Sequence, residues 1–158
     1  MARKKKPADS DGRKIIVRNR KVFHDYHVEQ TFEAGVSLLG SEVKSCRDGR
    51  VSLGDAYAAI EGSELWLVNA HIAEYPYSHE RNHEPRRRRK LLMHRREIER
   101  LSVKLKERGF TLAVISLYFK RGKVKAELGL AKGKRAYDKR EAIRKKDEKR
   151  LQDQSHKR

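Results

Sequence analysis

The sequence predicts a mainly β chain with two inserted helices, folded as a small antiparallel barrel and followed by a flexible basic tail. Three observations lead there. Segments rich in β-branched and aromatic residues recur from Ile15 onward, and several are joined by short turns such as Glu61-Gly62-Ser63-Glu64 and Arg121-Gly122. Strands do not alternate regularly with helices, as a parallel α/β sheet requires. Core formers are scarce in residues 1–14 and 131–158, which leaves residues 15–130 for one domain with a modest hydrophobic core.

Residues 1–14, with Arg3-Lys4-Lys5-Lys6-Pro7 and then Asp9-Ser10-Asp11-Gly12, read as a flexible basic arm. A first strand starts at Ile15, is interrupted at residues 18–21, and a second follows from His24 to Phe32. Tyr26, Val28 and Phe32 alternate along it and are expected on one face. Leu39, Val43 and Cys46 then mark one face of a short helix closed by Gly49, with Glu42 in its first turn and Lys44 and Arg47 outward. The runs 56–60 and 65–69 form a hairpin, in which Trp66 is expected in the core, and His71-Ile72-Ala73 extends the sheet. Between Pro85 and Gly109 the spacing of Leu91, Ile98, Leu101 and Leu105 predicts a helix over 90–108. The basic run 86–90 sits at its entrance, where cations oppose the helix dipole, and an external polyanion would compensate them. Residues 110–120 and 123–130 form a second hairpin in which Val124, Ala126, Leu128 and Leu130 alternate with Lys123, Lys125, Glu127 and Gly129, so that one face is wet and basic. In residues 131–158, Ile143 and Leu151 are too few to anchor a fold, and the segment is expected to be disordered when free and helical on binding.

Charge narrows the function. Forty Lys and Arg against 22 Asp and Glu give a formal net charge of +18, which implies an anionic partner, of which nucleic acid is the commonest. No apolar run approaches the ~18 residues of a membrane span, so no membrane association is expected. Cys46 is the single cysteine, and the basic start is not followed by an apolar segment, so the protein is expected in the cytoplasm. His24 and His27 would face opposite sides of a strand, and His79 and His83 have no second thiol or carboxylate cluster beside them, so no metal or other cofactor is expected. No nucleophile elbow, phosphate loop or zinc-protease motif is present, and no catalytic residue is assigned. A nuclease using His24 with a lysine, and a constitutive ribosomal protein, remain as alternatives. Tyr26, Tyr118 and Tyr137 are aromatic candidates for base stacking, although Tyr26 and Tyr118 fit a core role equally well.

The specific strings go further. Asn19-Arg20-Lys21 with His24-Asp25-Tyr26, Glu33-Ala34-Gly35, Gly40-Ser41-Glu42-Val43-Lys44-Ser45, Asp55-Ala56-Tyr57, Asn82-His83-x-Pro85, Arg89-Lys90-Leu91-Leu92, and Lys132-Gly133-Lys134 with Asp138-Lys139-Arg140 stand in order over about residues 15–145. Together they resemble the SmpB family of bacterial SsrA-binding proteins. Cys46 stands where that family usually has Leu, Met93 where a third Leu is common, and Ala56 where Ser is usual. The resemblance implies an OB-like barrel, not an enzyme, that holds the tRNA-like domain of transfer-messenger RNA and escorts it into ribosomes stalled on messages lacking a stop codon. It implies RNA-binding roles for Glu33, Leu92 and Lys125, with Asn19, His24, Tyr26, Arg89 and Lys90 in the matching strings. It also implies that the tail enters the decoding centre and the empty mRNA channel, against 16S rRNA, through Lys132, Gly133, Lys134, Tyr137, Asp138, Lys139, Arg140 and Ile143. Elongation factor Tu, carrying the aminoacylated RNA, is the further implied partner.

Overall fold

The computed structural model describes residues 12–107 and 109–155, and within them the side chains of all but residues 136–138. Most of the expected basic arm, Arg108, the last three residues of the tail, and the side chains of Tyr137 and Asp138 therefore lie outside the described residues.

The elements run β1 (Lys14–Arg18), α1 (Lys21–Asp25), β2 (Tyr26–Val36), α2 (Gly40–Arg47), β3 (Val51–Ser52), β4 (Tyr57–Glu61), β5 (Glu64–Val68), β6 (His71–Ile72), β7 (Arg89–Leu92), α3 (Arg95–Leu105), β8 (Phe110–Lys120), β9 (Lys123–Gly133) and α4 (Ala136–Ser155). β8 closes the sheet. Along one edge it pairs with β9, and along the other with β4 near its start and β1 near its end. The order β4, β5, β7, β2, β9 returns to β8, so these antiparallel strands close in a ring with β1 added outside it. This is the mainly β, barrel-like form the sequence predicts. Inside the ring pack Leu65, Leu67, Leu91, Leu112, Val114, Leu117, Ala126 and Leu128, all essentially without exposure, and α3 adds Ile98 and Leu101.

Bulges decide which side chains reach that core. On β2, Val28 stands opposite Ala131 and Gln30 opposite Leu130, so Glu29 is an extra residue and the alternation flips across it. Phe32 and Ala34 consequently face the main core, whereas Val28 packs with Val22, Ala113 and Ile115 in a second cluster beneath α1. The expected common face for Tyr26, Val28 and Phe32 is thus broken. Ile115 is the corresponding extra residue on β8, between Val114 opposite Leu128 and Ser116 opposite Glu127.

Three further expectations change. Residues 90–92 belong to β7, not to a helix: Arg89 and Leu91 point inward while Lys90 and Leu92 point outward, and α3 starts only at Arg95. Leu91 satisfies both a strand and a helix spacing, which misassigned it. Trp66 is only half-buried, because Leu65 and Leu67 take the inward positions of β5, and β6 pairs with β3 in a separate small sheet rather than extending the ring. Finally, β9 runs on to Gly133, with Lys132 opposite His27 and Gly133 opposite Tyr26, so Lys132 and Gly133 are barrel residues. Beyond them, in the segment expected to be disordered when free, lies α4. Its Ile143 and Leu151 are exposed, so little apolar burial supports that helix.

Candidate nucleic-acid interface

The basic run at residues 86–90 has carboxylate partners within the chain. Glu42, in the first turn of α2, is fully buried and both of its oxygens are doubly occupied. Oε1 accepts from Arg87 Nε at 2.7 Å and Arg89 Nε at 2.8 Å, and Oε2 from Arg87 Nη2 at 2.6 Å and the Leu39 backbone N–H at 2.8 Å. Burial alone would raise the Glu42 pKa, but the hydrogen bonds from Arg87, Leu39 and Arg89 outweigh it and hold the carboxyl below its ordinary range. Arg89 is itself enclosed, and its remaining N–H groups donate to the carbonyls of Ala70, Arg87, Pro85 and Glu84. Arg89 has no exposed surface, so it shapes the loop from inside rather than presenting a cation outward. Arg88 pairs with Glu61 at 2.7 Å and lies over Trp66 at 5.3 Å, while Lys90 pairs with Glu64 at 3.0 Å.

The exposed site forms on the outside of the ring, where the ladders set one row of side chains across the strands. Ile15 of β1 stands opposite Tyr118, Tyr118 opposite Lys125, Lys125 opposite Gly35, and Gly35 opposite Leu92. Gly35 has no side chain, and this opens a trough of about 350 Å³ with Lys125 on one bank and Leu92 on the other. A Cβ at position 35 would sit 3.3 Å from Leu92 Cβ, so a side chain there would crowd Leu92 and narrow the trough. Leu92 is 55% exposed, an apolar side chain left outside the core beside a lysine. Lys125 has no side-chain ion pair or hydrogen bond with the described residues. Glu33, two residues before Gly35 on the same face, accepts a short hydrogen bond from the Tyr118 hydroxyl. Lys120 Nζ lies 3.4 Å and Arg13 Nη2 3.6 Å from the same carboxylate oxygen. The Tyr118 hydrogen bond, reinforced by Lys120 and Arg13, keeps the Glu33 carboxyl below its ordinary range, against the opposing effect of burial. Tyr118 is 1% exposed, so it is a wall of the site and not a stacking platform.

Glu33, Leu92 and Lys125 are therefore brought together, and the other site residues predicted from the sequence gather elsewhere. Asn19 and Tyr26 line a separate cleft of about 440 Å³ beside α1, with Lys21, Asp25 and Asp55. Asn19 is nearly buried, and its amide is satisfied internally: Nδ2 donates to the Leu53 carbonyl at 2.9 Å and Oδ1 accepts from the Lys21 N–H. It joins β1 to the following loops rather than reaching outward. His24 Nδ1 is 2.9 Å from Asp25 Oδ1, and Lys139 of α4 reaches the same oxygen at 3.6 Å. Lys134 donates through its backbone to the Asp25 carbonyl and through Nζ to the Phe23 carbonyl. Lys132 Nζ lies over the Phe110 ring. Arg140 and Ile143 are exposed on α4. Arg13 and Lys120 were not expected at the site, although Tyr118 and Lys120 share one parity on β8 and so one face. Among the described residues no helix is long and apolar enough to cross a membrane, and no three His, Cys, Asp or Glu side chains converge as metal ligands.

Comparison with known proteins places this arrangement. The family model described as SmpB protein matches residues 16–158. The SsrA-binding protein of Acidothermus cellulolyticus is 58% identical over 136 residues, which cover 86% of each chain. That of Thermobifida fusca is 53% identical over 150 residues, 95% of this chain and 94% of the relative. A solved chain described as "tmRNA-SmpB: a journey to the center of the bacterial ribosome" is 45% identical and superposes with a TM-score of 0.65 over 81% of this chain and 94% of its own. With the family match spanning residues 16–158 and relatives more than 50% identical over most of both chains, this chain belongs to the SmpB family.

Proposed function

We propose that the chain binds the tRNA-like part of transfer-messenger RNA and accompanies it to stalled ribosomes in trans-translation, as a cytoplasmic adaptor without catalytic activity of its own. The relatives are SsrA-binding proteins, and the solved neighbour is described with tmRNA and the bacterial ribosome. The observation in this molecule that carries the reading is the outer trough at Gly35. It sets a lysine that has no side-chain partner among the described residues and an exposed leucine on either side of bare backbone, in a chain of net charge +18. A phosphate fits the cation and an unstacked base or sugar edge fits the apolar bank, and a rigid sheet reads a folded RNA by shape rather than by sequence.

The tail is the second working part of the proposal. Lys134, Lys139, Arg140 and Ile143, with Tyr137 and Asp138, would meet the decoding centre, the empty mRNA channel and 16S rRNA, while elongation factor Tu joins through the aminoacylated RNA. A helix with so little apolar burial is marginal alone and gains its order from a partner. Two measurements test the division: affinity for the tRNA-like domain, and tagging of chains on stalled ribosomes, each with the full chain and with a truncation after Arg135. The expected result is affinity within about twofold of the full chain, because the barrel supplies the phosphate contacts, together with loss of tagging. Equal losses in both assays would refute it.

A further inference from the structure

We propose that Arg13 and Lys120 act with Lys125 as the phosphate-binding cations of this face. In this arrangement Glu33 is a positioning residue that works through them and Tyr118 instead of touching the RNA. The inference deepens the RNA-binding reading above and rests on it.

A carboxylate on a surface meant for a polyanion is repulsive, so its place there needs a reason. Glu33 is held from below by the buried Tyr118 hydroxyl, and the oxygen so fixed is the one that Lys120 and Arg13 approach, at 3.4 and 3.6 Å. Arg13 is constrained a second time. Its guanidinium carbon lies 4.8 Å from the Tyr118 ring centroid, so the group is held against a ring as well as tied to a carboxylate. A planar fork of donors suits a phosphate better than a point charge does. Arg13 remains about 30% and Lys120 26% exposed, enough to be reached. Lys125 stands directly opposite Tyr118 on the ladder, so the third cation is one strand away.

The charges support the same assignment. Three cations, Arg13, Lys120 and Lys125, stand against the Glu33 carboxylate and the cross-strand Glu127, so the patch keeps a net positive charge while its members are fixed. Ordering long side chains before binding removes an entropic cost that free surface lysines and arginines meet on contact. Glu33 therefore gives more by orienting cations than it loses by repulsion.

The experiment measures affinity of the full chain for a transcript of the tRNA-like domain over a range of KCl concentrations. Arg13→Ala and Lys120→Ala are each expected to weaken binding about tenfold, as for a lost charge-assisted bond, and to reduce the salt slope by about one. Glu33→Gln and Tyr118→Phe should each weaken binding about fivefold through looser positioning, even though Glu33→Gln removes a negative charge. In an Arg13→Ala/Lys120→Ala background, Glu33→Gln should have no further effect. Unchanged or tighter binding by Glu33→Gln, or its full loss persisting in that background, would overturn the proposal while leaving the RNA-binding reading intact. Failure of the unaltered chain to bind would remove that reading and this inference with it. Melting curves monitor folding, and Arg13→Lys serves as the mild variant, expected to keep the salt slope but lose affinity. An Arg13→Lys protein indistinguishable from the original would contradict the role of the planar fork.

Discussion

Replacing Glu42 by glutamine isolates the buried charge cluster with almost no change of shape. The carboxylate accepts hydrogen bonds from three residues, and the amide would turn an –NH2 group toward their donors. Arg89, with no exposed surface, would keep its charge and lose its counter-ion. Breaking a buried ion pair from one side costs about 3–5 kcal/mol. For a domain of this size that is a fall in melting temperature on the order of 10 °C. Thermal unfolding followed by far-UV circular dichroism, with urea denaturation for the free energy, measures both. A joint replacement, Glu42→Met with Arg89→Leu, should recover much of the loss, because an apolar filling removes the desolvation penalty of both ions. A Glu42→Gln protein that melts within ~2 °C of the original, less than one kcal/mol by the same conversion, would refute the idea that this cluster holds the 82–89 loop.

Acid sensitivity follows from the same carboxylates: Glu33 and Glu42 have folded-state pKa values depressed below the unfolded value, so their stabilisation is present above that value and is lost as pH falls through the folded ones. Urea midpoints should hold from neutral pH down to the ordinary carboxylate range, drop below it, and drop less in Glu42→Gln. Gly129→Ala tests the second apolar cluster, since a Cβ there would lie 2.9 Å from Ile115 Cδ1 and 3.1 Å from Val28 Cγ1. It should cost about 1–3 kcal/mol by overpacking, and Ile115→Val should relieve it; an unchanged urea midpoint would count against that packing. Cys46 is buried, and burial, helped by Glu42, pushes its thiol up to about 12. At pH 8 the thiolate fraction is then on the order of 10⁻⁴, so iodoacetamide should modify Cys46 in urea but hardly in the native protein.

The strands legible in the sequence are those flanking short turns. β9 shows a period of two after Gly122, β8 was read from its β-branched and aromatic residues despite the bulge at Ile115, and α2 was visible because Val43 and Cys46 fall on one helical face before Gly49. α1 escaped because it is a single short turn with no side-chain cap. The bulge at Glu29 escaped because an extra residue leaves no mark in a list of apolar positions, and it moved Val28 into a different cluster from Phe32.

The site was legible in parts only. Glu33, Leu92 and Lys125 came from the family resemblance, and their convergence depends on strand pairings that no local pattern reveals. The basic run misled because charge runs read as solvated surface, whereas the partner that buries Arg89 lies 47 positions earlier in the chain. Arg13 was hidden in a segment whose composition marks a loose arm, although its side chain is fixed against Tyr118 and Glu33.

The most direct test of where the RNA sits is photo-cross-linking of the full chain to the tRNA-like domain of transfer-messenger RNA, with the modified peptides identified by mass spectrometry. Adducts on the outer faces of β2, β7 and β9, at and around Leu92 and Lys125, are the expected result. Adducts confined to α3 or to the β4–β5 face around Trp66, with the Gly35 trough unlabelled, would contradict it.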